Sequence, residues 1–158
     1  MSNLEKYIIV FLISMVPVVE LRGAIPIGIG AYNLPVVQTF IICIIGNMIP
    51  VPFIFLFARK VLEWGIDKPV LSKPFSFLLN KGHKGGQKLK AKAGRGLYYA
   101  LFLFVGIPVP GTGAWTGTLA ASILDLDFKK TVLAVLAGVL LAGIIMAISS
   151  YGLFEIIF

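Results

Sequence analysis

Apolar residues along this chain fall into runs of unequal length, and the short runs come in pairs. Tyr7–Val19 is thirteen residues, apolar apart from Ser14 and Pro17. At ~1.5 Å per residue it reaches roughly 20 Å, short of a hydrocarbon core about 30 Å thick. A polar break follows, Glu20-Leu21-Arg22-Gly23-Ala24, and then Ile25–Leu34 with Pro26, Gly28 and Gly30. Two short apolar arms joined by charged residues predict a re-entrant hairpin over 7–34. A secretory signal core is disfavoured, because no small-residue cleavage site follows and the apolar pattern resumes. Asn33-Leu34-Pro35 predicts a turn. Val36–Ala58 is twenty-three residues, long enough to span, and Pro50 and Pro52 predict a kink in its second half. Asn47, in the middle of that span, needs a polar partner.

The same order then repeats. Leu97–Leu124 is apolar but broken by Gly106-Ile-Pro108-Val-Pro110-Gly111-Thr112-Gly113, after which a second half-helix starts near Ala114. Proline removes a backbone donor and clashes with the preceding turn, so one continuous helix is not expected here. In lipid, such a break survives only where it is buried in protein or lines a wet cavity. Asp125–Lys130 is a polar turn, and 131–158 is the last long apolar run, with Gly138, Gly143 and, near its end, Glu155. Shifting Val18–Pro35 by ninety residues onto Pro108–Asp125 aligns Gly23-Ala24 with Gly113-Ala114 and Ala31 with Ala121. One full span lies between the hairpins, so they would enter from opposite faces. The predicted fold is therefore an all-α integral membrane protein built as an inverted-topology repeat of hairpin plus transmembrane helix, an arrangement that puts a site near the midplane. The competing layout has four full spans, with 7–34 and 97–124 as kinked helices and Gly113–Gly117 as a packing motif.

Composition agrees. The 158 residues are 58% hydrophobic and only 13% charged, and mean hydropathy is +0.96. One membrane domain accounts for the whole length. The single cysteine, Cys43, excludes an internal disulfide and a cysteine metal cluster. Charge is uneven: ten of the fourteen basic residues lie in 59–96, including Arg59, Lys68, Lys73, Lys81, Lys88, Lys90, Lys92 and Arg95, against only Glu63 and Asp67. The positive-inside rule predicts a basic cytoplasmic loop there and a multi-pass protein of the plasma membrane. Within it, Val70–Asn80 carries enough aromatic and aliphatic residues for a short interfacial segment. The rest reads as solvated, with anionic lipid headgroups as the partner it would attract, at ~1 kcal/mol per basic residue. Its lysines are not interleaved with aromatics, which argues against nucleic acid.

The chemistry sits at the breaks. Glu20 and Arg22 are ionisable residues between apolar runs, which are functional candidates by default in a membrane. Their structural alternative is an ion pair holding the hairpin tip. Arg22 presents a planar five-donor fork suited to phosphate or carboxylate. Glu20, desolvated, suits proton exchange during transport. The N–H groups at Gly111, Thr112 and Gly113, at a helix start, would form an anion site, and Gly23 and Ala24 would do the same in the first hairpin. Trp115 and Asn47 complete the substrate-binding candidates, and Pro17, Gly23, Pro26, Pro108 and Pro110 mark the hairpin breaks. No Ser/His/acid set, HExxH, Walker loop or strand-borne GxGxxG occurs, so no enzyme, metal or cofactor is expected.

Glu20-Leu-Arg-Gly-Ala-Ile-Pro-Ile-Gly28, taken with Pro108-Val-Pro-Gly-Thr-Gly-Ala-Trp-Thr-Gly117, resembles the small multidrug export protein family. That family is similar to the DedA/VTT superfamily of membrane proteins, whose members have paired re-entrant hairpins and are implicated in moving polyprenyl phosphates or phospholipids. The resemblance implies that Glu20 stands where that superfamily has a membrane-embedded acid. The second hairpin departs from the superfamily pattern: Thr112 and Trp115 occupy a neighbourhood that carries arginine there. The functional expectation is a proton-linked transporter or flippase for an amphiphilic anion such as a lipid or polyprenyl phosphate. The alternatives are an exporter of hydrophobic cationic drugs, with Glu20 as counter-ion, and a non-transport, lipid-organising protein. Two hairpins and two spans form a thin shell around a polar site, so a homo-oligomer is expected.

The two layouts differ at the 125–130 turn. With Cys43→Ser as background, Asp127→Cys should resist an impermeant thiol reagent in intact cells and react after lysis if the hairpins are re-entrant. Immediate labelling would select four spans.

Overall fold

The computed structural model describes residues 2–157 and, among them, the side chains of all but residues 78, 81–82, 85–86, 88–90, 92 and 153–157. Phe158 and the side chains of Lys81, Lys88, Lys90, Lys92 and Glu155 therefore lie outside the described residues. All the regular structure described is helical.

The chain starts with α1 (Asn3–Met15). Its N-terminus is closed by a capping box: the Glu5 N–H donates to Ser2 Oγ and the Ser2 N–H to the Glu5 carboxylate, which satisfies two donors that a helix start leaves free. Pro17 ends the helix by forcing Val16 into extended backbone. The chain turns through Val18, at φ +74°, and Glu20, at φ +50°. Left-handed backbone at a β-branched valine costs on the order of 1–3 kcal/mol. The second arm is α2 (Glu20–Pro26), continued by a π-helical turn at Ile27–Ala31. The arms fold back on each other: Lys6 Nζ donates to the Tyr32 carbonyl at 3.2 Å, and Val10 lies against Gly28.

Next come α3 (Val36–Met48) and α4 (Pro50–Ile66), one helical run with a bend at Ile49. Pro50 and Pro52 cannot donate to the carbonyls four residues back, which localises the bend. Val36–Ile66, 31 residues, is long and apolar enough to cross a membrane, as is Phe128–Gly152, 25 residues, within α8 (Phe128–Ile157). Their outward faces carry Val37, Ile41, Ile45, Phe53, Leu133 and Ile148, all exposed.

The stretch 59–96 corrects the sequence expectation. It is not an open loop with one short interfacial segment: α4 continues to Ile66, and Ser72–Ala93 forms a single 22-residue helix, α5. The glycines at 82, 85 and 86 read as breakers, since each costs about 1 kcal/mol in a helix. Tertiary packing outweighs that penalty. The Phe75 ring lies where a Gly65 side chain would be, and Leu79 shares a pocket with Arg59, Glu63 and Ile123.

The second broken pair is α6 (Gly96–Gly106) and α7 (Ala114–Ile123). It also folds back, with Gly117 against Leu101 and Val105 and Tyr98 Oη accepting from the Asp127 N–H at 3.2 Å. Each first arm runs alongside the span that follows it. Gly46 of α3 meets Phe11 and Ser14 of α1, and Gly138 of α8 meets Phe102 and Val105 of α6. The second arms cross over: α2 packs on α8 and α7 on α4, where Ser122 Oγ donates to the Phe55 carbonyl at 2.7 Å. Arg59 at one end of this bundle pairs with Asp125 and, at 3.0 Å, with Glu63.

The two glycine crossings set a stability test. A Cβ at Gly46 would sit 2.0 Å from Ser14 Oγ and 2.8 Å from the Phe11 carbonyl; at Gly138 it would sit 2.8 Å from the Phe102 carbonyl. Gly46→Ala and Gly138→Ala should each destabilise by about 1–3 kcal/mol, read as a lower thermal midpoint. Gly152→Ala, where nothing lies within 4 Å, should leave the midpoint unchanged.

Candidate functional site

The two breaks meet, and each supplies what the other's helix ends lack. An α-helix start leaves its first N–H groups unpaired and its end leaves its last carbonyls unpaired. Here α7 begins at Ala114 inside the protein. Glu20, 4% exposed, accepts from the Ala114 N–H at 3.2 Å and from the Trp115 N–H at 3.0 Å. A carboxylate at a helix N-terminus gains from both hydrogen bonding and the helix dipole. Gly113, at φ +140°, makes this approach possible, because a Cβ there would lie 2.4 Å from a Glu20 carboxylate oxygen.

Arg22 performs the opposite service. Its guanidinium donates to the carbonyls of Val105 at 3.1 Å, Ile107 at 3.2 Å and Val109 at 2.5 Å, the end of α6 and the first residues of the break. Thr112 Oγ1 lies 3.0 Å from the Ile107 carbonyl and 2.8 Å from the Val109 carbonyl, which closes the Pro108–Pro110 turn from within. In return Trp115 Nε1 donates to the Met15 carbonyl, the end of α1, at 3.1 Å. Glu20 and Arg22 form no ion pair with each other among the described residues; both spend their polar atoms on the opposite break.

The structure thus brings together Glu20, Arg22, Pro17, Pro108, Pro110, Gly111, Thr112, Gly113 and Trp115. It moves the helix-start donors two residues onward from the sequence assignment: the Thr112 N–H is bonded to the Val109 carbonyl, and the N–H groups facing Glu20 belong to Ala114 and Trp115. Gly23 and Ala24 do not form a matching anion site, since the Gly23 N–H already bonds the Val19 carbonyl. Pro26 lies at the entry to the π-helical turn rather than at the tip. Sequence reading missed the carbonyls of Met15, Val105, Ile107 and Val109. The rule that orphan donors start at the first helical residue was the available signal for Ala114 and Trp115.

An apolar groove of about 370 Å³ opens beside the junction. Pro17, Val18, Phe57, Trp115 and Leu119 form walls, and among the described residues Glu20 is the only ionisable one lining it. Asn47 is fully buried, and neither amide atom has a hydrogen-bond partner among the described residues. The pairings Phe55–Ser122 and Arg59–Asp125 run α4 and α7 side by side in the same direction. Asn47 lies on α3, before the bend at Ile49, and is not among the described residues that line this groove.

Three substitutions grade these contacts. Trp115→Phe keeps the ring and loses one hydrogen bond, for about 1 kcal/mol. Gly113→Ala combines strained backbone with a clash on Glu20 and should cost more, about 2–4 kcal/mol. Gly111→Ala meets no atom within 4 Å but sits at φ +84°, so backbone strain alone limits it to about 1 kcal/mol. Denaturation midpoints should follow the order Gly113, then Trp115 and Gly111.

Neither a curated protein nor a solved structure matches this chain. The family model described as "Putative small multi-drug export protein" matches residues 20–145, a range that begins at Glu20 and takes in both charged residues of the first break, the whole second break, all of Val36–Ile66 and most of Phe128–Gly152. With Glu20 and Arg22 locked onto the second break inside that matched range, this helical membrane protein belongs to the small multi-drug export protein family.

Proposed function

We propose that this chain is a transporter of amphiphilic compounds, and that its broken helical pairs are re-entrant hairpins entering the bilayer from opposite faces as an inverted repeat. The reciprocal capping and the crossed packing of α2 on α8 and α7 on α4 support that layout. So does the Arg59–Asp125 pair, which ties the turn after α7 to the basic end of α4; four full spans would set them on opposite sides. Shared paired hairpins also support kinship with the DedA/VTT superfamily.

One observation carries the choice of cargo. Among the described residues, Glu20 is the sole ionisable group on an apolar groove. A hydrophobic cation would lay its apolar body along Phe57, Trp115 and Leu119 and bring its charge to the carboxylate. Glu20 cannot cap α7 fully and neutralise a cargo at once. A proton on Glu20 likewise weakens acceptance from Ala114 and Trp115. Proton and cargo therefore compete for one group, which is the logic of exchange, and each uncouples the two breaks. The access end beside α5 is cytoplasmic in this reading, and a second copy shields the thin outer wall.

An anionic lipid or polyprenyl phosphate is the second reading. It is favoured by Arg22, whose present partners are three neutral carbonyls; a phosphate would bind the fork more strongly.

Proteoliposomes with a pH gradient separate these readings. Cation transport predicts protein-dependent movement of a fluorescent hydrophobic cation that Glu20→Gln reduces at least tenfold, roughly 1.4 kcal/mol of lost interaction, while Arg22→Lys retains most of it. Lipid-phosphate transport predicts that labelled phospholipid flips and that Arg22→Lys stops it. Absence of both fluxes in folded protein would leave a lipid-organising role and overturn the transporter reading.

A further inference from the structure

Away from the junction, a second groove of about 590 Å³ runs between α6 and α8 on the outer surface. Its chemistry changes along its length. One end carries Arg95 and Lys130, the middle Tyr98 and Tyr99, and the rest Phe102, Leu133, Ala134 and Ala137. Ala134 and Ala137 are small and face the same side of α8, which leaves an open trough between the helices. Arg95 and Lys130 lie where α6 and α8 both begin, and the positive end of α6 adds to them. The Arg95 guanidinium has no hydrogen bond or ion pair among the described residues. Lys130 Nζ lies 5.8 Å from the Tyr98 ring centroid, held over the groove's polar end. Asp127 Oδ1 accepts from the Lys130 N–H at 2.9 Å and caps α8.

We infer that this groove is a binding site for one anionic phospholipid. The phosphate sits between Arg95 and Lys130, the glycerol region lies beside Tyr98 and Tyr99, and an acyl chain follows Phe102, Leu133, Ala134 and Ala137. Two cations beside an aromatic pair at the polar end of an apolar trough match the charge sequence of such a lipid from head to tail. Basic pockets between membrane helices recognise headgroups in this way. The site is separate from the Glu20 groove and shares none of its lining residues, so it does not rest on the transport reading. A lipid seated here would brace α6 against α8 and so hold the first arm of the second broken pair.

The test uses the full chain in detergent, titrated with phosphatidylglycerol or phosphatidylcholine, with bound lipid counted by native mass spectrometry. One phosphatidylglycerol should bind in preference to phosphatidylcholine. Arg95→Ala with Lys130→Ala should weaken it by roughly thirtyfold, the change carried by two basic residues near an anionic surface. Ala134→Phe, which fills the trough and leaves both charges in place, should also expel the lipid. Lys60→Ala with Lys68→Ala, a basic pair outside the groove, should not. Equal loss from that control pair would reduce the effect to general attraction and overturn the site. So would unchanged binding in Ala134→Phe, or displacement of the lipid by inorganic phosphate at matching concentration. Raised thermal stability of wild type in phosphatidylglycerol, absent from both groove variants, supplies a second readout on protein that still folds.

Discussion

Helix ends placed inside a water-poor interior have to find partners, and this requirement governs the structure. A break between two half-helices exposes one set of carbonyls and one set of N–H groups where the solvent cannot serve them. This chain contains two such breaks and makes each the solution to the other. Glu20 closes the start of α7, Arg22 closes the end of α6, and Trp115 closes the end of α1. A buried charge that would be costly alone becomes favourable when it meets oriented backbone dipoles. The strained residues Val18 and Glu20, both at positive φ, are held because the opposite break determines where the carboxylate must point.

Such a junction is firm and still able to change. Its strongest links use a single carboxylate and a single guanidinium, so occupation of either by something else releases one half of the lock. The groove beside Glu20 gives an apolar molecule a route to one of those groups. In the proposed transport reading, binding at Glu20 would release the half of the lock that reaches Ala114, with the Arg22 links remaining. The bend at Ile49, produced by Pro50 and Pro52, lies on the span that α7 packs against.

The two halves correspond in packing more closely than in residues. Gly46 receives Phe11 and Ser14 as Gly138 receives Phe102 and Val105, and each second arm crosses to the other half's span. Close approach demands a glycine at those crossings and little else of the neighbours. Residues facing outward need only be apolar. Sequence identity between the halves is therefore sparse even though both use a glycine at the crossing.

Periodicity and composition alone determined that the chain is helical and membrane-bound, where its two long spans lie, and where its helices break. Those features follow from run length, proline and charge, which act locally. Glu20 and Arg22 were legible as candidates because an ionisable residue between apolar runs is costly in a membrane and persists there only with a polar task to perform. Their partners were not legible: the carbonyls of Met15, Val105 and Val109 and the N–H groups of Ala114 and Trp115 belong to a backbone every residue shares, and carry no sequence signature. The glycine-rich helix α5 was hidden for a related reason, since tertiary contacts such as the fit of Phe75 onto Gly65 offset its poor intrinsic propensity. Tertiary structure decided which helix end each charge serves, because that choice depends on residues more than eighty positions apart meeting in space.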